Sequence, residues 1–363
     1  MKKLLGSICL ATIFLMVFAI VPVSGETLRI LTWEGYAYEK HNQKFIRLVK
    51  EKHGTDLQMA FEYVTTDDDF FPALRDGKAD IAVSSHHIAK DSRYRMIDLN
   101  LVLPLNLENI PNYKNIIPSL QRAEYSTKGS NIYAVPSAVG TYGLAYNTSV
   151  IPKEPKTWNI FWEPKYRGRY AIGNQYESNV YVTALSLGIP PDKMSDFYEV
   201  NIPEVQKKLA GLAVNAHTIW QDVDTAEELK GLALAAVWGN SISGLRNMGE
   251  MWKIAEPKEG TTTYVCTLMI GSSLENKPKL KQIAEEWFNY VLTDEIQVYD
   301  VRDLFAAPVT TTVRASLTPE EVEDFHLDDP AHFEKKRILW PVLKKRNRQG
   351  LRELWENALR QRK

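Results

Sequence analysis

The sequence predicts an α/β chain with two lobes, and three observations carry that prediction. Segments of strand period and helix period alternate as β-α-β-α-β near the start. A second α/β unit follows after a stretch rich in proline and glycine. Removing an N-terminal leader of 25 residues leaves 363 − 25 = 338 residues and one cysteine, Cys266. No internal disulfide can form, so stability rests on burial, and this length supports two cores.

The leader is set apart first. Lys2 and Lys3 precede an almost unbroken apolar run from Leu4 to Val23, and the small residues Ser24 and Gly25 follow. Residues 1–25 therefore read as a signal peptide, with a signal anchor as the alternative. Cys9 lacks the small residues expected just before a lipidated cysteine. No second apolar run of membrane-spanning length follows. Loss of Lys2 and Lys3 takes the formal charge from −1 to −3, which argues against a nucleic-acid partner. The stretch from Lys335 to Lys363 is basic, but Leu, Trp and Val interrupt it, as on a solvated amphipathic helix.

Leu28 to Thr32 alternates apolar and polar residues as a strand does, and Trp33-Glu34-Gly35-Tyr36 stands where that strand ends. A carboxylate among aromatic faces there suits a cationic guest; a Trp-rich plug of the core is the plainer alternative. Residues 39–53 carry Phe45, Leu48 and Val49 at helical spacing before Gly54. Leu57, Met59, Phe61 and Tyr63 mark a second strand. Asp67-Asp68-Asp69 lack the alternating spacing of a calcium loop and read as the cap of a second helix ending at Gly77. Ala79 to Ser85 follows as a buried parallel strand. Right-handed crossovers then bring Trp33–Tyr36 and Ser85–His87 to one crevice. Strand character returns at Ile132–Pro136 and Gly140–Asn147, at Tyr170–Ile172, at Leu232–Trp238 and at Thr263–Ile270. Helices are expected over Ser178–Leu187 and Leu280–Leu292.

Catalytic motifs are weak. Gly239-Asn240-Ser241-Ile242-Ser243-Gly244 misses G-x-S-x-G, which leaves a secreted hydrolase as the minor reading. The seven histidines do not form H-E-x-x-H, one cysteine rules out a cysteine-based zinc cluster, and the adjacent His86 and His87 make poor joint ligands. Nucleotide-binding glycine motifs are missing. No enzyme activity, metal or cofactor is expected.

These residues resemble the periplasmic solute-binding proteins of ABC importers, in the spermidine/putrescine branch. Trp33-Glu34-Gly35-Tyr36 looks like that branch's W-[ST]-[DE]-Y segment, Asp80 to Ser85 like its third strand, and Ile132–Pro136 like its first crossover. The most specific match is Thr157-Trp158-Asn159-Ile160-Phe161-Trp162-Glu163-Pro164-Lys165-Tyr166-Arg167-Gly168, similar to S/T-W-x-x-L-W-x-P-x-Y-x-G. Pro257-Lys258-Glu259-Gly260 adds a lesser one.

The resemblance implies a two-lobed, type II-like periplasmic-binding-protein fold, in which each lobe is a mixed sheet flanked by helices and the ligand lies between the lobes. The implied divisions are 26–136 and 267–317 for lobe 1, 137–266 for lobe 2, and 318–363 as a C-terminal helical segment packed on lobe 2. It also implies a monomer in the periplasm that captures a polyamine-like cation and delivers it to an inner-membrane ABC permease. A sensor of the same fold signalling to a membrane receptor, and a solute other than a polyamine, are the alternatives. Carried over by position, the ligand-binding residues are Trp33, Glu34, Tyr36, Ser85, His87, Tyr142, Asn174, Glu177, Trp238, Tyr264 and Cys266. The branch's acid positions fall at Gly35, Asn174 and Cys266, leaving Glu34 and Glu177 to hold charge.

Overall fold

The computed structural model describes residues 25–221, 223–329 and 331–362. The expected signal peptide, up to Ser24, lies outside the described residues. Among the described residues no helix is long and apolar enough to cross a membrane.

Two sheets organise the chain. In the first, Ala307–Pro308, Ala134–Thr141, Thr261–Ile270, Ile81–Ser85, Glu26–Thr32 and Leu57–Tyr63 lie side by side in that order. Glu26–Thr32 pairs in parallel with Leu57–Tyr63 on one side and Ile81–Ser85 on the other. The β-α-β-α-β reading therefore holds, and the carboxyl ends of the first and third strands share an edge where ligands bind in open α/β sheets. The helix between the first two strands, Glu39–His53, buries Phe45 and Val49 and ends at Gly54 in the left-handed conformation (φ 63°). Its successor is shorter than expected: a turn over Asp67–Asp69 leads into Phe70–Arg75.

The second sheet runs Trp252–Ala255, Gly143–Asn147, Leu234–Val237, Tyr170–Gly173 and Thr218–Trp220. Its core includes Tyr142, Trp158, Phe161, Tyr170 and Trp252. The expected divisions at 136/137 and 266/267 fall inside strands. All of Ala134–Thr141 and of Thr261–Ile270 pairs within the first sheet, so the chain changes sheets between Thr141 and Gly143 and again between Ala255 and Thr261. Distant pairing partners fix those points, Thr263 for Thr141, Val237 for Gly143, Leu144 for Ala255 and Arg337 for Thr261, whereas the glycines and prolines nearby mark only that the chain crosses somewhere in these stretches.

The C-terminal segment departs most from expectation. Its helix Lys345–Leu359 packs on the helices Tyr176–Ser186 and Pro203–Asn215 beside the second sheet, burying Leu351, Leu354 and Trp355. The residues before it are not helical throughout. Arg337–Leu339 forms a strand parallel to Thr261–Thr263 of the first sheet, on the side that Ile81–Ser85 occupies further along. The two strands approach end to end, because Ser85 is paired with Cys266 and Leu339 with Thr263. Trp340 is thereby delivered to the carboxyl end of the third strand.

Candidate functional site

Four aromatic rings meet where the two sheets adjoin. Trp238, just past the strand Leu234–Val237, lies 4.9 Å from Tyr142, 5.6 Å from Tyr264 and 5.6 Å from Trp340, centroid to centroid. Tyr264 and Trp340 are 5.6 Å apart. Tyr264 is held by its partner strand: a Cβ on Gly140 would stand 2.1 Å from the Tyr264 ring, so only glycine lets the ring lie across that backbone. Trp238 is held from below by Tyr142, which is fully buried and whose hydroxyl accepts from Gly173 N at 2.9 Å and donates to Asn179 Oδ1 at 3.1 Å. Asp224 accepts from Trp238 N and from the amide and hydroxyl of Ser241, which fixes the turn after that strand.

A polar end adjoins these rings. His87 lies 6.1 Å from Trp340, and its Nε2 is 3.0 Å from Asp67 Oδ2. Its Nδ1 is buried without a hydrogen-bond partner, as is Trp340 Nε1. Burial opposes the charge on His87, but Asp67, with Glu177 and Asp91 nearby, outweighs it and raises the pKa above the usual imidazole value. Glu177, at the start of the helix Tyr176–Ser186, accepts from Tyr176 Oη at 2.5 Å, and its pKa is raised because burial outweighs that bond and the charges of His87 and Arg348. His86 turns elsewhere. Its Nδ1 accepts from Val265 N (3.2 Å) and its Nε2 meets the Trp340 carbonyl (3.0 Å), which assigns the neutral Nε2–H form. Burial and neighbouring His87 push its pKa down to about 3. Its role is to lock Trp340 in place.

The structure brings Trp238, Tyr264, His87 and Glu177 of the expected set to this place and distributes the others around it. Tyr36 is buried beside Tyr264 and the Cys266 thiol. Trp33, partly buried, packs edge-on against Phe70 at 5.5 Å, behind the Asp67 turn. Ser85 is buried opposite Cys266.

Four residues differ from expectation. Glu34 is exposed, since the turn that returns Tyr36 N to Trp33 O sends it outward. Asn174 is also exposed, and its side chain is taken by Gln221 and by Trp355 of the C-terminal helix. Tyr142 supports Trp238 and turns its hydroxyl into the core. Cys266 is only 1% exposed, and burial with nearby Asp300 raises its thiol pKa. Gly35 sits at φ 88°, and a Cβ there would approach a Leu304 methyl to 2.7 Å, so a side chain at that position would be strained.

Two residues at the heart of the site were not singled out from sequence. Asp67 stands among three aspartates whose roles diverge: Asp69 accepts from Thr66 N, Asp68 bonds Tyr94 and Arg93, and Asp67 meets His87. Trp340 lay within the stretch read as one amphipathic helix. The available signal was Pro341, which breaks a helix directly after it.

With this geometry in hand, likeness to known proteins becomes specific. The family described as bacterial extracellular solute-binding protein matches residues 76–336. The chain belongs to that family. The solute-binding protein is 21% identical over 306 residues to the spermidine/putrescine-binding periplasmic protein of Salmonella typhimurium, covering 82% of each chain. It is 22% identical over 276 residues to spermidine/putrescine-binding periplasmic protein 1 of Haemophilus influenzae, covering 74% of this chain and 71% of that one. Among solved structures, the spermidine/putrescine ABC transporter substrate-binding protein of Streptococcus pneumoniae superposes with a TM-score of 0.76 at 17% identity, over 93% of this chain and all of that one. A GABA receptor of the same fold superposes at 0.67 and 14% identity, over 92% of this chain and 98% of that one. The fold is thus that of periplasmic binding proteins.

Proposed function

We propose that this solute-binding protein captures a compact amine in the periplasm and passes it to an ABC permease in the inner membrane, with no catalytic step. The carrying observation is the meeting of Trp238, Tyr264 and Trp340 with the carboxylates of Asp67 and Glu177 around His87. An alkylammonium group gains about 0.5–2 kcal/mol from an aromatic face, the larger value when desolvated. Its charge also needs a carboxylate or several acceptors to offset burial. Asp67 and Glu177 supply the first, and neutral His87 offers its unpartnered Nδ1 as an acceptor. Trp33, Tyr36 and Ser85 shape the wall on the first-sheet side. The resemblance to the spermidine/putrescine-binding relatives points the same way. Closure of two lobes about the crossovers at 141–143 and 255–261 would enclose the guest.

A second reading is a zwitterion whose carboxylate accepts from Trp340 Nε1–H and from protonated His87. Those two buried, unpartnered donors favour it, and the GABA receptor shows that the fold is found with an amino acid receptor.

Calorimetric titration of putrescine and of γ-aminobutyrate across pH 6 to 8 separates the two. Protonated His87 opposes a cation, so putrescine affinity should rise as pH rises through the elevated His87 pKa. A guest held by its carboxylate should bind more weakly over the same rise. Binding of neither compound or of any related amine would refute the proposal.

A further inference from the structure

Glu256 follows the strand Trp252–Ala255 at the point where the chain leaves the second sheet. Two histidines reach it from the C-terminal segment. His326 sits in the turn after the helix Pro319–Asp324, in the left-handed conformation (φ 53°), and His332 opens the short helix His332–Lys336. His326 Nε2 lies 3.3 Å from Glu256 Oε1 and His332 Nε2 lies 3.7 Å from Oε2. The two rings stack at 4.1 Å, and the three ligand atoms all lie within 4.8 Å of one another. A tetrahedral zinc ion with ligands at about 2.0–2.2 Å spaces those atoms by roughly 3.4 Å.

Hydrogen bonding within the cluster leaves this arrangement incomplete. His332 Nε2 is buried without a hydrogen-bond partner. Arg337 already binds both Glu256 oxygens, at 2.8 and 3.2 Å. A carboxylate has about four lone-pair positions, so each oxygen keeps one that can face a metal. The Nε2 atoms of both imidazoles turn to the two oxygens that Arg337 holds, which sets two ring nitrogens and one carboxylate around a common point. We propose that Glu256, His326 and His332 bind a divalent transition metal, with Zn2+ the best fit. Two histidines and a monodentate carboxylate leave a fourth position for water. Arg337 holds the carboxylate from the outer side, as partners beyond the ligands do in metal sites. The ion would tie the crossover between the sheets to the stretch that leads through Arg337–Leu339 to Trp340. This site is separate from the aromatic cleft, and it stands whether or not the cleft binds an amine.

The test uses the untagged mature chain, stripped with a chelator and titrated calorimetrically with Zn2+. Co2+ is titrated separately and followed by visible absorption. One Zn2+ per chain with micromolar or tighter affinity is expected, together with the intense visible bands of four-coordinate Co2+ and their loss on adding Zn2+. His326→Ala and His332→Ala should each weaken Zn2+ binding at least tenfold. His217→Ala, which changes an exposed histidine elsewhere, should not. Metal-free thermal melts of the variants confirm that they fold. Glu256→Gln, which also disturbs Arg337, serves only as support. Absence of 1:1 binding, or Zn2+ binding unchanged in the double His326→Ala/His332→Ala variant, overturns the assignment.

Discussion

Arg348 of the C-terminal helix reaches across to the first-sheet side and binds Asp91 Oδ2 at 2.8 Å, with the Leu343 carbonyl accepting from the same Nη2 at 2.8 Å. Asp91 is fully buried and Arg348 is 9% exposed. Asp91 has further partners, because Arg93 donates to it from its backbone N (2.8 Å), Nε (3.2 Å) and Nη2 (3.0 Å). The two halves of the pair are therefore unequal. Asp91→Asn leaves a buried guanidinium without its carboxylate, which costs about 3–5 kcal/mol. Arg348→Met keeps most of the apolar stem and leaves Asp91 with Arg93, so the main loss is the charge-assisted hydrogen bond to Asp91, about 1.5–3 kcal/mol, with the bond to the Leu343 carbonyl lost beside it. At about 2 °C per kcal/mol for a chain of this size, Tm should fall by roughly 6–10 °C for the first variant and 3–6 °C for the second.

The pH dependence has a definite sign. Burial acts to raise the Asp91 pKa, but Arg93 and Arg348 outweigh it and hold the carboxyl below its usual value. A carboxylate with a depressed folded pKa stabilises fully above the unfolded value, about 3.9, and that contribution is lost as pH falls through the folded pKa. The gap between wild type and Asp91→Asn should therefore be constant from neutral pH down to about 5 and narrow below 4. Thermal melts followed by circular dichroism measure all three quantities. An Arg348→Met loss equal to or larger than that of Asp91→Asn, or a gap that does not narrow in acid, would refute this account of the contact.

Further expectations concern the cleft and its supports. Trp238→Ala should weaken amine binding by roughly 2- to 30-fold in calorimetry, the range expected from losing one aromatic face; unchanged affinity would remove Trp238 from the site. His86, with its pKa depressed to about 3, stabilises fully above about pH 6.5, and that contribution is lost as pH falls toward 3. His86→Asn should flatten part of the acid limb of the stability curve over that window, and a limb as steep as wild type would show that His86 is not held neutral. Cys266→Asp would place a second carboxyl near buried Asp300, whose own pKa burial already raises well above normal. It should lower Tm markedly and leave putrescine affinity unimproved, although family position alone suggests the opposite; tighter binding would show that residue 266 faces the guest.

The parts of the fold legible in the sequence are those set by local periodicity. Leu57, Met59, Phe61 and Tyr63 announced a strand that the structure places at Leu57–Tyr63, and Phe45 and Val49 marked the buried face of Glu39–His53. Long-range pairing outside the β-α-β-α-β unit was not legible. Arg337–Leu339 is too short to show a period, and its partner Thr261–Thr263 is far away in sequence, so nothing local announced that Trp340 would reach the cleft. Asp67 was hidden for a different reason. Three adjacent aspartates look alike in sequence, and only the position of His87 gives one of them a separate role. Family position, in turn, pointed to Cys266 as an acid site, yet could not show that its thiol is buried beside Tyr36.

The most direct measurement for the cleft is mass spectrometry of the small molecules released on denaturing protein purified without added ligand. A primary or secondary amine recovered near one equivalent per chain, and reduced in Trp238→Ala, is the expected result. A sugar, a simple anion or another solute without an amine, retained at the same level by the wild type and Trp238→Ala, would contradict the assignment of the aromatic cleft to a cationic guest.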